Sequence, residues 1–435
     1  MRYVIIGGSA AAISAVEAIR LVDKASPIVL FSDEAAPLFS RVLLPYYVAE
    51  ELPKSMLNFR SADFFDQNRV TAHLGVRVTK ISTESKTVQT VNGDHHPYDR
   101  LLLATGGKAI VPAVPGVEKE GISTLKTMED AERVYTMKGT KAVVIGAGSI
   151  GVESAISLKR RGMEVTLIEM LGHVLPTAFD EEAASIIKKR IEELGIEVLT
   201  GEKAVRFKGN GRVQGVVTDT REIPCDMVVL SVGIKPAVEL AAQIGAETGS
   251  YGGIKIDSHM KTSLPDIYAA GDVVETHDIA RGTPFVNAIW PCAFEQGTIA
   301  GLNMAGKETR YEGSFRRNSI GNFIGIPAIS MGLTYADACT DCAEGDRFQE
   351  IKRRTKNTYR KLILKNGLII GAILVGRTQK AGLLTTLLKK RIDVSGFVPV
   401  LMNDNLNFLD ILPLLRRYAD KFREAEYKEI MDTGL

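Results

Sequence analysis

One stretch constrains this chain more than any other. Val143, Val144 and Ile145 read as a buried strand, and Gly146, Gly148 and Gly151 follow with the G-x-G-x-x-G spacing. Ser149 and Ile150 lie inside that turn and open a helix, and Glu169 closes a second strand formed by residues 165–168. Each part has a physical task. Gly146 permits a sharp turn, Gly148 has no side chain to block a pyrophosphate, and Gly151 lets helix and strand pack closely. The helix N-terminus offers unpaired N–H groups and the positive end of its dipole to phosphates. Glu169 is placed to accept hydrogen bonds from a ribose 2′-hydroxyl. The pattern predicts a dinucleotide site rather than a glycine-rich turn without a ligand.

The unit recurs at the N-terminus in altered form. Residues 3–6 are a strand, residues 7–12 the turn and residues 28–32 a second strand ending in Asp33 and Glu34. Gly7 is kept, while Ser9 and Ala12 stand where the second and third glycines would be. Ala10 and Ala11 are also small, so close backbone approach remains possible. Either Asp33 or Glu34 could meet the ribose. Two such sites suggest two nucleotides, one tightly held and one exchanging.

The duplication extends further. After the first turn come alternating segments over residues 70–91 and an apolar strand ending in Ala104, Thr105 and Gly106. After the second come a helix over 180–194, hairpins over 198–224 and an apolar strand ending in Gly233. Between the two halves of the first unit, Ser40 and Arg41 sit in an apolar stretch, where a buried arginine needs a partner. A strand over 266–270 leads to Gly271 and Asp272, and a helix over 293–304 follows Trp290 and Pro291. The last region shows strand-like runs at 324–331, 359–364 and 368–375, with Asn366-Gly367 as a hairpin turn, then helix-like runs at 383–391 and 407–423. The fold class expected is α/β, with two Rossmann-like three-layer nucleotide-binding domains and an α+β C-terminal domain. The boundaries expected are 1–108 with 236–312, 109–235 inserted between them, and 313–435 as an interface or dimerisation domain.

With 45% hydrophobic and 24% charged residues among 435, the composition is that of an ordinary globular protein. The chain starts directly with a strand, and its longest apolar run, 368–376, falls well below the roughly 18 residues of a membrane helix, so a cytoplasmic protein without a membrane or nucleic-acid partner is expected. The net charge of +2 hides an asymmetry: residues 315–435 carry 20 Lys/Arg against 13 Asp/Glu, or +7, leaving −5 for the rest. A basic C-terminal region could attract an acidic partner, or be a solvated face. Four cysteines, Cys225, Cys292, Cys339 and Cys342, are too few for a disulfide scaffold. Cys339 and Cys342 form a C-x-x-C, but two further ligands are not at hand in sequence, so no metal site is assigned and a redox pair is the less favoured reading.

Taken together, the paired turns, the Ala104-Thr105-Gly106 strand end, Gly271-Asp272 and the Trp290-Pro291 helix resemble the FAD- and NAD(P)H-dependent pyridine nucleotide–disulfide oxidoreductase superfamily over essentially the whole chain. The resemblance implies that FAD lies on the first turn, Asp33 or Glu34, Val78 and Thr105-Gly106. Asp272 would meet the ribityl chain, with Trp290 and Ala293 at the flavin ring. NAD(H) would lie on the second turn and Glu169, and the acid favours NADH over NADPH. The resemblance also marks departures. No cysteine precedes Cys225, and Val42 stands where thiol-using members carry one. Ser149 replaces a gating tyrosine of the peroxidase branch. Tyr46 stands where a lysine would pair with the glutamate matching Glu153. The chain is thus most similar to the rubredoxin reductase-type and nitrite reductase-type modules and to the NADH subunits of iron–sulfur oxidoreductases. Expected chemistry is hydride transfer from NADH to FAD, without a catalytic acid–base residue of the protein, then electron passage to an iron–sulfur protein or partner subunit. A peroxide-producing NADH oxidase and a flavin-dependent redox sensor are the alternatives.

Overall fold

The computed structural model describes residues 1–35, 38–339, 343–404 and 406–422. They form two compact units. The first comprises residues 1–174, 191–278 and 284–314, and the second residues 175–190, 279–283 and 315–435.

Two five-stranded parallel sheets organise the first unit. One runs Ile267–Ala269, Arg100–Leu103, Tyr3–Ile6, Ile28–Ser32, Val70–Leu74. The other runs Ile122–Thr124, Met227–Leu230, Lys141–Ile145, Glu164–Glu169, Glu197–Thr200. Strands Tyr3–Ile6 and Met227–Leu230 are buried along their whole length, which is why they read as continuous apolar runs rather than alternating ones. The orders are the same, and the duplication legible in sequence is therefore a duplication of topology. The outermost strand differs: the first sheet takes it from beyond residue 236, the second from before residue 141.

Each sheet is covered on both faces. Helices Ala10–Val22 and Trp290–Met304 pack on one face of the first, with Gly297 and Gly301 set against the backbone of Ala11 and Ala15. An antiparallel meander of Val78–Ser82, Thr87–Thr90 and His95–Pro97 covers the other, burying Val78, Ile81 and Val88. The second sheet carries helix Ser149–Arg160 and a matching meander of Ala204–Lys208, Gly215–Thr218 and Glu222–Pro224. Two sequence readings need correction here. Residues 70–74, read as part of a meander, and residues 198–200, read as part of a hairpin stretch, belong to edge strands of the parallel sheets. Both are short and one-sided in burial, so their alternation imitates an antiparallel strand.

In the second unit an antiparallel sheet runs Arg317–Ser319, Ala328–Gly332, Leu368–Val375, Tyr359–Lys365, Phe348–Arg354. Asn366 and Gly367 both have positive φ, as a two-residue hairpin turn requires. The core lies between this sheet and helices Ala381–Lys389 and Phe408–Arg417. Residues 324–331 are not one strand. A short helix, Gly321–Ile324, ends at left-handed Gly325, and the strand starts at Ala328. Lys361 is the unusual core residue. At 2% exposure it contacts Asp180 at 3.2 Å and Glu350 at 2.9 Å and donates to the Thr334 carbonyl. Tyr359 donates to the same Asp180 carboxylate at 2.6 Å. Among the described residues no helix is long and apolar enough to cross a membrane.

Candidate nucleotide sites

The three long helices Ala10–Val22 after Ser9, Ser149–Arg160 after Gly148 and Trp290–Met304 after Ile289 start without a side-chain cap, as do the short helices Leu44–Val48, Phe64–Gln67 and Glu239–Gln243. Thr127 with Asp130 and Asn407 with Asp410 do cap the helices they precede. Uncapped N–H groups are left for another acceptor. Ser9 could have capped its helix and does not.

Around the first turn, Gly7 donates to Phe31 O at 2.8 Å, closing the turn over the second strand. The structure separates the two acids there. Asp33 is exposed and lies 3.4 Å from Arg77. Glu34 is ion-paired through Oε1 with Arg41, and its buried Oε2 has no hydrogen-bond partner among the described residues. An orphaned carboxylate oxygen at this place fits a ribose hydroxyl of a bound dinucleotide. Arg41 also donates to the Lys126 carbonyl at 2.8 Å, and the Lys126 ammonium lies 3.8 Å from Asp272. Burial lowers the pKa of Lys126 and raises that of Asp272, the latter opposed by Lys126 and Arg41. Glu34, Arg41, Lys126 and Asp272 thus form one balanced cluster of two acids and two bases. Lys126 went unnoticed in the sequence; its only signal was a basic residue just before the Thr127–Asp130 capping box.

The turn carrying Asp272 is fixed by a second residue that sequence reading passed over. Buried Gln296 accepts from Gly271 N at 2.9 Å and donates to Tyr311 Oη at 3.3 Å. Helix Trp290–Met304 begins three residues before Ala293, because Pro291 is favourable in a first turn. Trp290 is half-buried at its start and packs edge-on against Phe59, with centroids 5.0 Å apart. Ala293 is buried near Gly271. Ser40 is buried, its N–H donating to Leu57 O at 2.8 Å, and Val42 beside it is 50% exposed. Val78 is buried in the meander core, so only its backbone is left to offer a ligand. Ala10, Ala11 and Ala12 are buried in the first turn of their helix. Ala104 is buried, while Thr105 donates to Ala237 O at 2.8 Å and Gly106 O accepts from Ala237 N at 2.9 Å. Gly106 and Gly233 therefore lie at the two strands that cross between the sheets, Gly107–Ala109 and Ile234–Pro236.

At the second turn Gly146 has φ 95°, and a Cβ on Gly151 would run into Gly146 O. A Cβ on Gly148 would meet nothing within 4 Å, so the space above it is open. Glu169 is buried; Oε2 accepts from Ala147 N at 2.7 Å and Oε1 from Leu171 N at 2.9 Å. It ties the turn to its own strand and, with about four lone-pair sites on a carboxylate, keeps acceptor capacity. The buried Ser231 hydroxyl beside the turn has no partner among the described residues. Ile150, Met170, Leu171 and Val232 form an exposed apolar rim. Ser149 starts the helix, and Glu153 follows in its second turn, where burial pushes its pKa up to about 8. The residues fit two dinucleotides.

Cys225 and Cys292 are buried, as is Cys339, while the remainder of the C-x-x-C, including Cys342, lies outside the described residues. Among the described residues no group of three or more His, Cys, Asp or Glu is arranged to hold a metal.

The sequence profile described as "Pyridine nucleotide-disulphide oxidoreductase" matches residues 1–297. The chain belongs to this family. A second profile, "Rubredoxin NAD+ reductase C-terminal domain", matches residues 319–392 of this family member. It is 31% identical over 321 residues to an NADH oxidase of Methanocaldococcus jannaschii, covering 72% of this chain and 71% of that protein. It is 28% identical over 399 residues to the NADH-dependent phenylglyoxylate dehydrogenase subunit epsilon of Aromatoleum evansii, covering 91% and 93%. The structure of a NAD-dependent persulfide reductase from A. fulgidus superposes with a TM-score of 0.85 at 30% identity, covering 96% of this chain and 84% of that one. The protein is an NADH-dependent flavoprotein oxidoreductase of this family and binds FAD and NAD(H).

Proposed function

We propose that this chain is an FAD-dependent NADH:acceptor oxidoreductase whose electrons pass to an iron–sulfur protein of rubredoxin or ferredoxin type, or to a partner subunit. The observation that carries the reading is the pairing of two open dinucleotide turns in one unit with a Rubredoxin NAD+ reductase C-terminal domain, on a chain with no cysteine before Cys225. A thiol relay from the first unit's flavin-side turn is excluded, because Val42 cannot supply one.

The residues divide the work as follows. The helix after Ser9 holds the FAD pyrophosphate, with Arg41 and Lys126 supplying positive charge, and Glu34 Oε2 accepts from the adenosine ribose. Asp272, held by Gln296 through Gly271, meets the ribityl chain. The uncapped start of helix Trp290–Met304 points at the ring, where positive potential stabilises negative charge developing on reduction. Glu169 and the turn at Gly148 hold NADH, and the apolar Met170 and Leu171 give a 2′-phosphate no cation. Bound FAD supplies the conversion of one two-electron step into single-electron steps, which suits a one-electron acceptor. The net charge of +7 over residues 315–435 suits an acidic carrier.

The test is anaerobic mixing of the FAD-loaded protein with NADH, and separately NADPH, followed by addition of rubredoxin, ferredoxin or oxygen. Rapid bleaching by NADH alone, with fast reoxidation by an iron–sulfur protein and slow reoxidation by oxygen, is expected. Fast oxygen consumption yielding peroxide would replace the reading by an NADH oxidase, which the exposed Val42 in place of a protective thiol favours. Failure of both nucleotides to bleach the flavin would overturn it.

A further inference from the structure

Glu153 is a carboxyl group with no evident structural occupation. It lies one helical turn before Ser157, on the same face of helix Ser149–Arg160. Ser157 donates to Pro45 O at 2.8 Å, so this face is turned to the short helix Leu44–Val48 of the other nucleotide module. A dinucleotide seated by its pyrophosphate at Gly148, with its adenosine ribose at Glu169, must send its second nucleoside away from Glu169. Hydride transfer requires that this end reach the flavin-binding module, and the face carrying Glu153 is where the two modules meet.

The elements packed most closely against the helix are Leu44–Val48, Lys141–Ile145, Glu164–Glu169 and Met227–Leu230. Their titratable groups are Tyr46, Tyr47, Lys141, Glu164 and Glu169, and the helix itself adds Lys159 and Arg160. None of these acts on Glu153: burial is the sole influence on its ionisation, and it raises the pKa to about 8. No ion pair to Glu153 is formed among the described residues. A partially buried carboxyl without a counter-charge is in effect a site waiting for a cation.

The nicotinamide ring supplies one, and only in one redox state. Oxidised nicotinamide is cationic and the reduced ring is neutral. We propose that Glu153 discriminates between these states: its neutral carboxyl accompanies the reduced ring, its carboxylate holds the oxidised one, and NAD+ binding releases a proton from it. The inference rests on the NADH reading above. It makes product release pH-dependent. Below the titration NAD+ leaves readily, and above it NAD+ is retained and competes with fresh NADH.

The experiment measures equilibrium binding of NAD+ and of tetrahydro-NADH, a neutral-ring analogue that cannot donate hydride, to the oxidised FAD-loaded protein between pH 6 and 9.5. NAD+ affinity is expected to rise about tenfold across the range, the equivalent of a one-unit difference in Glu153 pKa between complexes, while the analogue changes less than twofold. Binding of NAD+ in weak buffer is expected to release protons near pH 8. Glu153→Gln, which is nearly isosteric, should abolish both the slope and the proton release, and its melting curve at pH 6 checks that it folds. A pH-independent ratio of the two affinities, or a slope that survives in E153Q, would overturn the inference while leaving the NADH reading intact. Failure of both nucleotides to bind at any pH would overturn the NADH reading and this inference with it.

Discussion

Replacing Lys126 by Met tests the charge cluster at the first nucleotide site. Lys126 lies 3.8 Å from Asp272 and is largely buried. Two unit charges at that separation interact by about 4 kcal/mol at an effective dielectric of about 20. Most of that offsets the desolvation that already lowers the Lys126 pKa and raises that of Asp272, so a net of about 1–2 kcal/mol remains. With Lys126 gone, Glu34, Arg41 and Asp272 leave one surplus negative charge facing two phosphate groups. FAD affinity should fall about 10- to 30-fold, each tenfold being about 1.4 kcal/mol. The loss should be smaller at low pH, because Asp272, freed from Lys126, takes up a proton more easily. Lys126→Arg should retain most of the affinity. The double variant K126M/D272N removes one charge of each sign and should bind FAD better than the sum of its single variants implies. The assay is FAD fluorescence on titration of the apoprotein, with melting temperatures at saturating FAD as a check on folding. Unchanged affinity in K126M, or strict additivity in the double variant, would refute the argument that this cluster acts as a balanced unit.

Four other outcomes follow from the geometry. Gly151→Ala places a methyl against Gly146 O and should abolish flavin reduction by NADH while leaving FAD content unchanged, read from the visible spectrum and anaerobic bleaching. Met170→Arg puts a cation beside the ribose acid and should improve the NADPH-to-NADH ratio of kcat/KM by about tenfold, the order expected of one charged contact of about 1.4 kcal/mol; an unchanged ratio would remove Met170 from the specificity argument. Lys361→Met leaves Asp180 buried without its cation and should cost about 3–5 kcal/mol in chemical denaturation, with a substantial part recovered in K361M/D180N. Glu153 binds a proton in the folded state that the unfolded chain loses above its ordinary value of 4.5, so stability falls with rising pH from there to about 8; Glu153→Gln should flatten that slope and be more stable than the natural protein at pH 8, by up to about 4 kcal/mol.

Local patterns carried the architecture, and three-dimensional charge pairing did not. The strands at Tyr3–Ile6 and Lys141–Ile145 and their glycine turns were legible because a parallel strand buried on both faces must be apolar throughout, and a phosphate-binding turn must lack side chains. Edge strands such as Val70–Leu74 were misread because burial on one side gives the period-two alternation of an antiparallel hairpin. The choice between Asp33 and Glu34 was open in sequence, since adjacent acids at a strand end differ only in the face they take. The structure separates the two through Arg41, seven residues on, which pairs with Glu34, while Asp33 is exposed near Arg77. Lys126 and Gln296 were missed for a related reason. Each acts on a residue far away in the chain, Lys126 on Asp272 and Gln296 on the backbone of Gly271, and neither belongs to a spacing that a local pattern reveals. Glu153 is the converse case. Sequence comparison left it without a cation because Tyr46 stands at the expected position, and the structure shows that no other described side chain takes that cation's place. The missing charge is therefore a property of the free protein, and the group that can supply it is the nucleotide.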